Sequence, residues 1–367
     1  MRLLKIENLW KKAGHHFQLR DISIECNERE WILFTGPVGE GKETLKDILV
    51  GFDEDWEGSI QINGQEIIDT LDYNANISFI HKHFFDLEQD TTIFNFLSFP
   101  LKLKELPENK ISEIILETIK LFPYKVQLGK LINDLSLEEK VVVSFIYAMI
   151  IQPKLLIIDE PFYELPNSKR QIISSVIRSI SKTWKWSPVF IFSSYVKEWL
   201  PICDRIMLIH NKTIVQSGTI KEMLENPQHI FVAKYIAENE ITYINGIIKG
   251  TQFHTKGLTF KIPLQYLQNH QYYEGQELQI GVPAKNFQIV DKVPSSKEGV
   301  SFLAPVHIIK KMSGYYKIYS NIGGQLVVAK IKHDIKIEEG SEIHLYFPFK
   351  SIIFFDGKTE TILKQRS

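Results

Sequence analysis

Apolar runs and the polar breaks between them divide the chain into two regimes. Up to about residue 236, short apolar strands alternate with stretches of helical periodicity. Leu4, Ile6 and Leu9, then Phe17, Leu19, Ile22 and Ile24, predict two strands. Trp31 to Phe34 is an unbroken apolar run, and Thr44, Leu45, Ile48 and Leu49 follow at helical spacing. Ser59 to Gly64 predicts a strand entering a turn, and Ile77 to Ile80 another short strand. From Thr91 to about Asn133 the pattern is helical, with Ile111, Ile114, Ile115, Ile119 and Phe122 in three- and four-residue steps beyond Pro107. A helix is predicted from about Ser136 to Ile151, ended by Gln152-Pro153. Leu155 to Ile158 and Val189 to Phe192 read as buried parallel strands, separated by a helix from about Lys169 to Trp184. Ile206 to Ile209 and Ile214-Val215 predict a hairpin, and Ile220 to Leu224 a last helix.

A polar joint at 237–242 leads into an all-β regime. Here Glu274 to Pro283 is echoed by Glu339 to Pro348 at an offset of 65 residues. The match continues through Lys285/Lys350, Phe287/Ile352, Ile289/Phe354 and Asp291/Asp356. Each copy reads as turn, strand, proline break and second strand, so two related β-modules are expected to pack together.

At 367 residues, two domains are expected. The formal net charge of −1 offers no electrostatic case for nucleic acid or an anionic membrane as the main ligand. Two cysteines, Cys26 and Cys203, are too few for a disulfide framework and fit a reducing compartment. Behind Met1-Arg2-Leu3-Leu4-Lys5 there is no apolar signal core, and the longest nearly apolar run, Val141 to Ile151, is about half of a bilayer span. A cytoplasmic protein is expected, with any membrane role exercised through a partner.

The candidate chemistry sits at strand ends. Trp31 to Phe34 runs into a loop with glycines at 36, 39 and 41, then Lys42 and a helix. That is a phosphate-binding P-loop, in which glycine lets backbone N–H groups turn inward and the helix N-terminus and lysine add positive charge. The motif wants a hydroxyl after the lysine for Mg²⁺, and this chain has Glu43. The strand ending in Asp159-Glu160 presents two acids at the edge where open α/β sheets bind ligands. The phenylalanines at 84, 85, 94, 96 and 99 allow two readings, local core or a docking surface for another protein's helix.

The order and spacing of these pieces resemble the ATP-binding subunit of ABC transporters over about the first 235 residues. Glycine loop, helical insert, Leu135-Ser136 and, 23 residues after Ser136, the acidic pair follow in that order. The tail resembles the transport-associated OB-type domain of importer ATPases of the maltose, polyamine and ferric-iron group. The resemblance implies an α/β P-loop NTPase core over 1–236, a helical subdomain at about 84–150, and a small OB-like β domain over 243–367. It implies ATP and Mg²⁺ as ligands, with the loop Gly36, Pro37, Val38, Gly39, Glu40, Gly41, Lys42, Glu43 and Thr44 on the nucleotide. Gly36, Gly39, Gly41 and Lys42 would cradle the β- and γ-phosphates, and Thr44 would stand near the α-phosphate. Asp159 would hold Mg²⁺ and Glu160 would orient or deprotonate the attacking water. Ser136 would reach the nucleotide of a partner subunit. Implied partners are permease subunits, touched by residues about 84–100, and a second ATPase subunit in a homodimer or heterodimer. The protein would then lie at the inner face of the membrane.

The departures from the family pattern form a group. Glu43 replaces the metal's hydroxyl, and Lys82 stands where a glutamine is expected. Leu137 and Glu138 replace both signature glycines, and Ser194 replaces the switch histidine. Tyr163 to Pro166 keeps only Leu165 of the loop after the acids, and Trp10 and Phe17 are candidates to stack on adenine. Each lost transition-state contact costs about 2–4 kcal/mol, so slow turnover is expected. Glu43 and Lys82 could pair in the metal's place, or the site could be drifting from disuse. The functions in play are an importer's ATPase subunit, a catalytically impaired nucleotide-binding half of an asymmetric pair, and an ABC protein without a permease. An oligonucleotide-binding tail is disfavoured, because basic and aromatic residues seldom alternate there.

Overall fold

The computed structural model describes residues 2–62, 64–66, 77–81, 90–183, 187–194, 196–237, 241–267, 274–290, 298–312, 314–332 and 337–363. By contact the chain divides into two compact units, Met1–Ile220 and Lys221–Ser367.

The first unit opens with a hairpin, β1 (Arg2–Ala13) and β2 (His16–Asn27), joined in a four-stranded antiparallel sheet by β4 (Glu57–Ile62) and β5 (Gln65–Glu66). Ile6 faces Ile24 and Leu9 faces Ile22 across the hairpin, all four buried, so the alternation seen in the sequence sets the core face. The second sheet has the order β10-β9-β3-β8-β7-β6. Its members are β3 (Trp31–Thr35), β6 (Ile77–Ile80), β7 (Leu155–Asp159), β8 (Val189–Phe192), β9 (Arg205–His210) and β10 (Thr213–Gly218). All neighbours are parallel except the β9–β10 hairpin. Residues Trp31 to Thr35 and Val189 to Phe192 are buried throughout, as strands covered on both faces must be. Phe34 and Phe192 stack with centroids 4.7 Å apart across the β3–β8 pair.

Helix α1 (Lys42–Leu49) buries Leu45, Ile48 and Leu49. The helical insert is α2 (Ile93–Leu103), α3 (Glu108–Lys120) and α4 (Leu137–Ile151), followed beyond β7 by α5 (Asn167–Thr183) and the single turn α6 (Val196–Trp199). Of the phenylalanine cluster, Phe84 and Phe85 lie outside the described residues; Phe94 and Phe96 are half-buried and Phe99 is exposed.

Helix α7 (Ile220–Glu225) spans the boundary at Ile220, and α8 (Ile230–Ala237) follows in the second unit. Helix α8 was not anticipated, although Ile230, Ala233 and Ile236 recur at three-residue steps and are buried. Then come β11 (Ile241–Lys249), β12 (Gln252–Thr255), β13 (Leu258–Lys261), the turn α9 (Leu264–Leu267), β14 (Glu277–Pro283) and β15 (Gln288–Ile289). A second series follows: β16 (Gly299–Pro305), β17 (Ile308–Met312), β18 (Tyr315–Ile322), β19 (Gln325–Lys332), β20 (Glu342–Pro348) and β21 (Ile353–Asp356). Apart from α7, α8, α9 and two 3₁₀ turns, the regular structure of the described part of this unit is all-β, in keeping with an OB-like domain.

The repeat is visible in three dimensions. Each copy forms a strand, a 3₁₀ turn (Ala284–Asn286 and Phe349–Ser351) and a short second strand. The copies exchange strands, since β14 pairs with β21 and β20 with β15. The registers agree as well: Ile280 faces Phe354, and their counterparts 65 positions away, Leu345 and Ile289, face each other. One apolar core, including Ile280, Phe287, Leu345, Phe347, Phe349 and Phe354, fills the space between the copies.

Candidate nucleotide site

Strand order brings the candidate residues together. Because β8 lies between β3 and β7, the glycine loop after β3, the acids at the end of β7 and Ser193-Ser194 after β8 meet at one edge of the sheet. Val38, Lys42, Glu43, Lys46, Asp159, Glu160, Tyr163, Phe192 and Ser194 line a cleft of about 440 Å³ there.

The loop is shaped by its glycines. Gly36, Gly39 and Gly41 have φ of 152°, 79° and 111°, conformations costly for other residues. A Cβ on Gly36 would collide with the Ile209 carbonyl oxygen, and one on Gly41 would stand 2.8 Å from both the Gln18 oxygen and Leu19 Cδ2. Gly41 caps α1 without any side-chain hydrogen bond, which leaves the helix N-terminus to the cleft. Glu40 turns away from the cleft: Asn211 N donates to its Oε2 at 2.6 Å. The Lys212 ammonium donates to the Gly39 carbonyl oxygen, so the β9–β10 turn holds the loop from outside.

The charged groups are engaged with one another. Buried Lys42 donates to the Glu43 carboxylate. Lys46, one helical turn further on, donates to Asp159 Oδ2 at 2.8 Å and lies 3.4 Å from Asp47 Oδ1. Burial by itself would lower the Lys46 pKa, but the hydrogen bond and charge of Asp159, with Asp47, hold it above its ordinary value. Glu160 adopts φ 44°, unusual for a residue with a Cβ, at a cost of about 1–2 kcal/mol. Its Oε2 accepts from Ser193 Oγ at 2.9 Å and its Oε1 from Ser194 N at 2.7 Å, which fixes the carboxylate at the edge of the cleft.

The glycine loop and free helix N-terminus fit a polyphosphate. The acids as arranged do not fit a divalent ion, because an ammonium already occupies Asp159 Oδ2 and Glu43 is committed to Lys42. Lys82, the expected neighbour of Glu43, lies outside the described residues. Lys46 was missed by sequence reasoning; its i+4 spacing from Lys42 on α1 was the available signal.

Ser136 lies at the N-terminus of α4 and closes a capping box there. Its Oγ accepts from Glu139 N at 3.3 Å, and Ser136 N donates to Glu139 Oε2 at 2.8 Å. Glu138 pairs with Lys169 at 2.9 Å, and that hydrogen bond holds its carboxyl below the usual range. Trp10 and Phe17 pack on each other with centroids 5.5 Å apart, and the Arg20 guanidinium lies over the Phe17 ring.

Residues 19–163 match the family described as ABC transporter. The molybdate/tungstate import ATP-binding protein WtpC of Pyrococcus abyssi is 26% identical over 96% of this chain and all of its own length. The oligosaccharides import ATP-binding protein MsmX of Bacillus subtilis is 23% identical over 99% of this chain and all of its own. Among solved structures, cbiO1 of Clostridium perfringens, part of the ABC transporter complex cbiONQ, superposes with a TM-score of 0.56 at 20% identity, over 61% of this chain and 91% of that one. Motif order, fold and family match agree: residues 19–163 match the ABC transporter family, and the chain is similar over nearly its whole length to import ATP-binding proteins.

Proposed function

We propose that this chain is the ATP-binding subunit of an ABC importer, that it binds nucleotide in the cleft below the glycine loop, and that its turnover is slow. One observation carries the reading: Lys42 and Glu160, from opposite sides of β8, line the same cleft beside an uncapped helix N-terminus. The loop Gly36 to Lys42 holds the phosphates, Thr44 stands in the first turn of the same helix, and Glu160 is the candidate base. Its carboxylate accepts from Ser193 Oγ and Ser194 N, which holds it in one orientation at the edge of the cleft. Slow turnover follows from Ser194 in the switch position and from Leu137 and Glu138 at the start of α4, which disfavour close approach of a partner's γ-phosphate. Permease subunits and a second ATPase subunit are the proposed partners, with residues 243–367 as a transport-associated domain and the cytoplasmic membrane face as the location. The named relatives differ in what they import, so no cargo is assigned.

The second reading is a regulatory or structural half of an asymmetric pair that binds nucleotide without hydrolysing it. The Lys42–Glu43 and Lys46–Asp159 pairs favour it, because they commit the groups that would otherwise serve the metal. Steady-state ATP hydrolysis by the purified protein and its Glu160→Gln variant separates the two. A low rate abolished by the substitution supports the ATPase subunit; background rates in both, with ATP binding retained, support the regulatory half.

A further inference from the structure

We infer that Lys46 is the resident cation of this site, so that the cleft takes nucleoside polyphosphate free of divalent metal, held by two lysines of one helix face. The inference rests on the nucleotide-binding reading above and gives that reading its ligand form. Lys42 and Lys46 are four residues apart on α1, which places both side chains on one face. Both line the same cleft as Glu43, Asp159 and Glu160.

The position of Lys46 is built on three sides. Asp159 Oδ2 accepts from it at 2.8 Å, Asp47 Oδ1 lies at 3.4 Å, and its ammonium stands over the Phe79 ring, 5.8 Å from the centroid. Such a side chain is not a solvated lysine at rest on a helix surface; only 14% of it is exposed.

A magnesium ion at Asp159 would need an oxygen about 2.0–2.1 Å away and room for its water shell. The ammonium lies on the side-chain oxygen that would serve, and its charge repels a dication approaching the same carboxylate. An ammonium has three donors. One is spent on Asp159 and a second faces Asp47, which leaves one for a phosphate oxygen, whereas Lys42 shares its charge between Glu43 and the incoming anion. The chain therefore replaces a removable dication by a tethered monocation. The two lysines and the glycine-loop N–H groups then carry the whole of phosphate recognition.

The test is a two-by-two comparison on the full-length chain, with ATP affinity measured calorimetrically for wild type and Lys46→Met, each in Mg²⁺ and in excess EDTA. The expected result is a wild-type Kd that agrees within about threefold between the two buffers, and a Lys46→Met Kd about tenfold or more weaker in EDTA, partly recovered by Mg²⁺ once Asp159 is free. Either of two results overturns the inference while leaving nucleotide binding intact: wild-type binding improved about tenfold or more by Mg²⁺, or Lys46→Met binding ATP in EDTA as tightly as wild type. Absence of ATP binding by wild type in both buffers removes the nucleotide-binding reading itself, and the inference with it. Lys46→Gln, which keeps a hydrogen-bond donor and loses the charge, serves as a second variant should the methionine fail to fold. The wild-type arm requires no variant.

Discussion

Lys46 Nζ and Asp159 Oδ2 stand 2.8 Å apart, joining the helix after the glycine loop to the end of β7, with only 14% and 17% of the two side chains exposed. A pair so far removed from water is costly to break from one side, because the remaining charge is stranded. Lys46→Met and Asp159→Asn are each expected to destabilise the protein by about 1–3 kcal/mol, and the double variant by less than their sum. Urea denaturation of all four proteins measures this; strict additivity would show that the pair is not coupled. The Lys46 pKa is raised on folding, so its contribution is complete below about pH 10, the unfolded lysine value, and falls as pH rises through the folded value.

The start of α4 offers a second measurement. Ser136 and Glu139 exchange hydrogen bonds, and Lys130 Nζ reaches Glu139 Oε2 at 2.7 Å. Ser136→Ala is expected to cost about 0.5–2 kcal/mol in urea denaturation. Burial alone would raise the Glu139 pKa, but the Lys130 hydrogen bond and the Ser136 N–H carry it below the ordinary carboxylate value. The contribution of Glu139 is therefore present above about pH 4.3 and lost as pH falls through the lower, folded value. Glu139→Gln should flatten that part of the acid limb; an unchanged acid limb would remove the box as its cause.

Much of this arrangement is legible in the chain because it is local. Trp31 to Phe34 and Leu155 to Ile158 announce buried strands by composition alone, and the glycines and Asp159-Glu160 mark their ends. The i+4 spacing of Lys46 from Lys42 was legible but its pairing was not, because Asp159 is 113 residues away and is reached only through the order β3-β8-β7. A lysine at that spacing otherwise reads as the solvated face of α1. The Ser193 and Ser194 contacts to Glu160 are hidden for the same reason. In the β unit the repeat is plain in sequence, whereas the exchange of strands between its copies is a property of pairing, which no single strand encodes.

The glycines of the loop separate steric from conformational cost. Gly39 and Gly41 both have positive φ, but a Cβ meets nothing within 4 Å at Gly39, whereas at Gly41 it stands 2.8 Å from the Gln18 oxygen. Gly39→Ala is expected to cost about 1–2 kcal/mol, the conformational term alone. Gly41→Ala adds a backbone clash between β2 and α1 and should cost measurably more in the same denaturation experiment. Equal costs at the two positions would mean that the loop relaxes freely around the added methyl group.

The exchanged strands make a prediction about the second unit. Phe354 on β21 pairs with Ile280 of the other copy, and Leu345 on β20 pairs with Ile289; Phe354 and Leu345 are both buried in the shared core. If each copy is completed only by the other's strand, truncation at either symmetry-related position weakens the whole β unit. Phe354→Ala and Leu345→Ala are each expected to destabilise it by about 2–5 kcal/mol. All six tryptophans lie at or before Trp199, so indole emission reports the first unit alone. Melting followed by far-ultraviolet circular dichroism should therefore show a β transition shifted downward in both variants. The tryptophan transition should stay where it is in the wild type. A tryptophan transition that moves with the β transition in either variant would mean that the two units unfold together, and the strand exchange would then stabilise the whole chain.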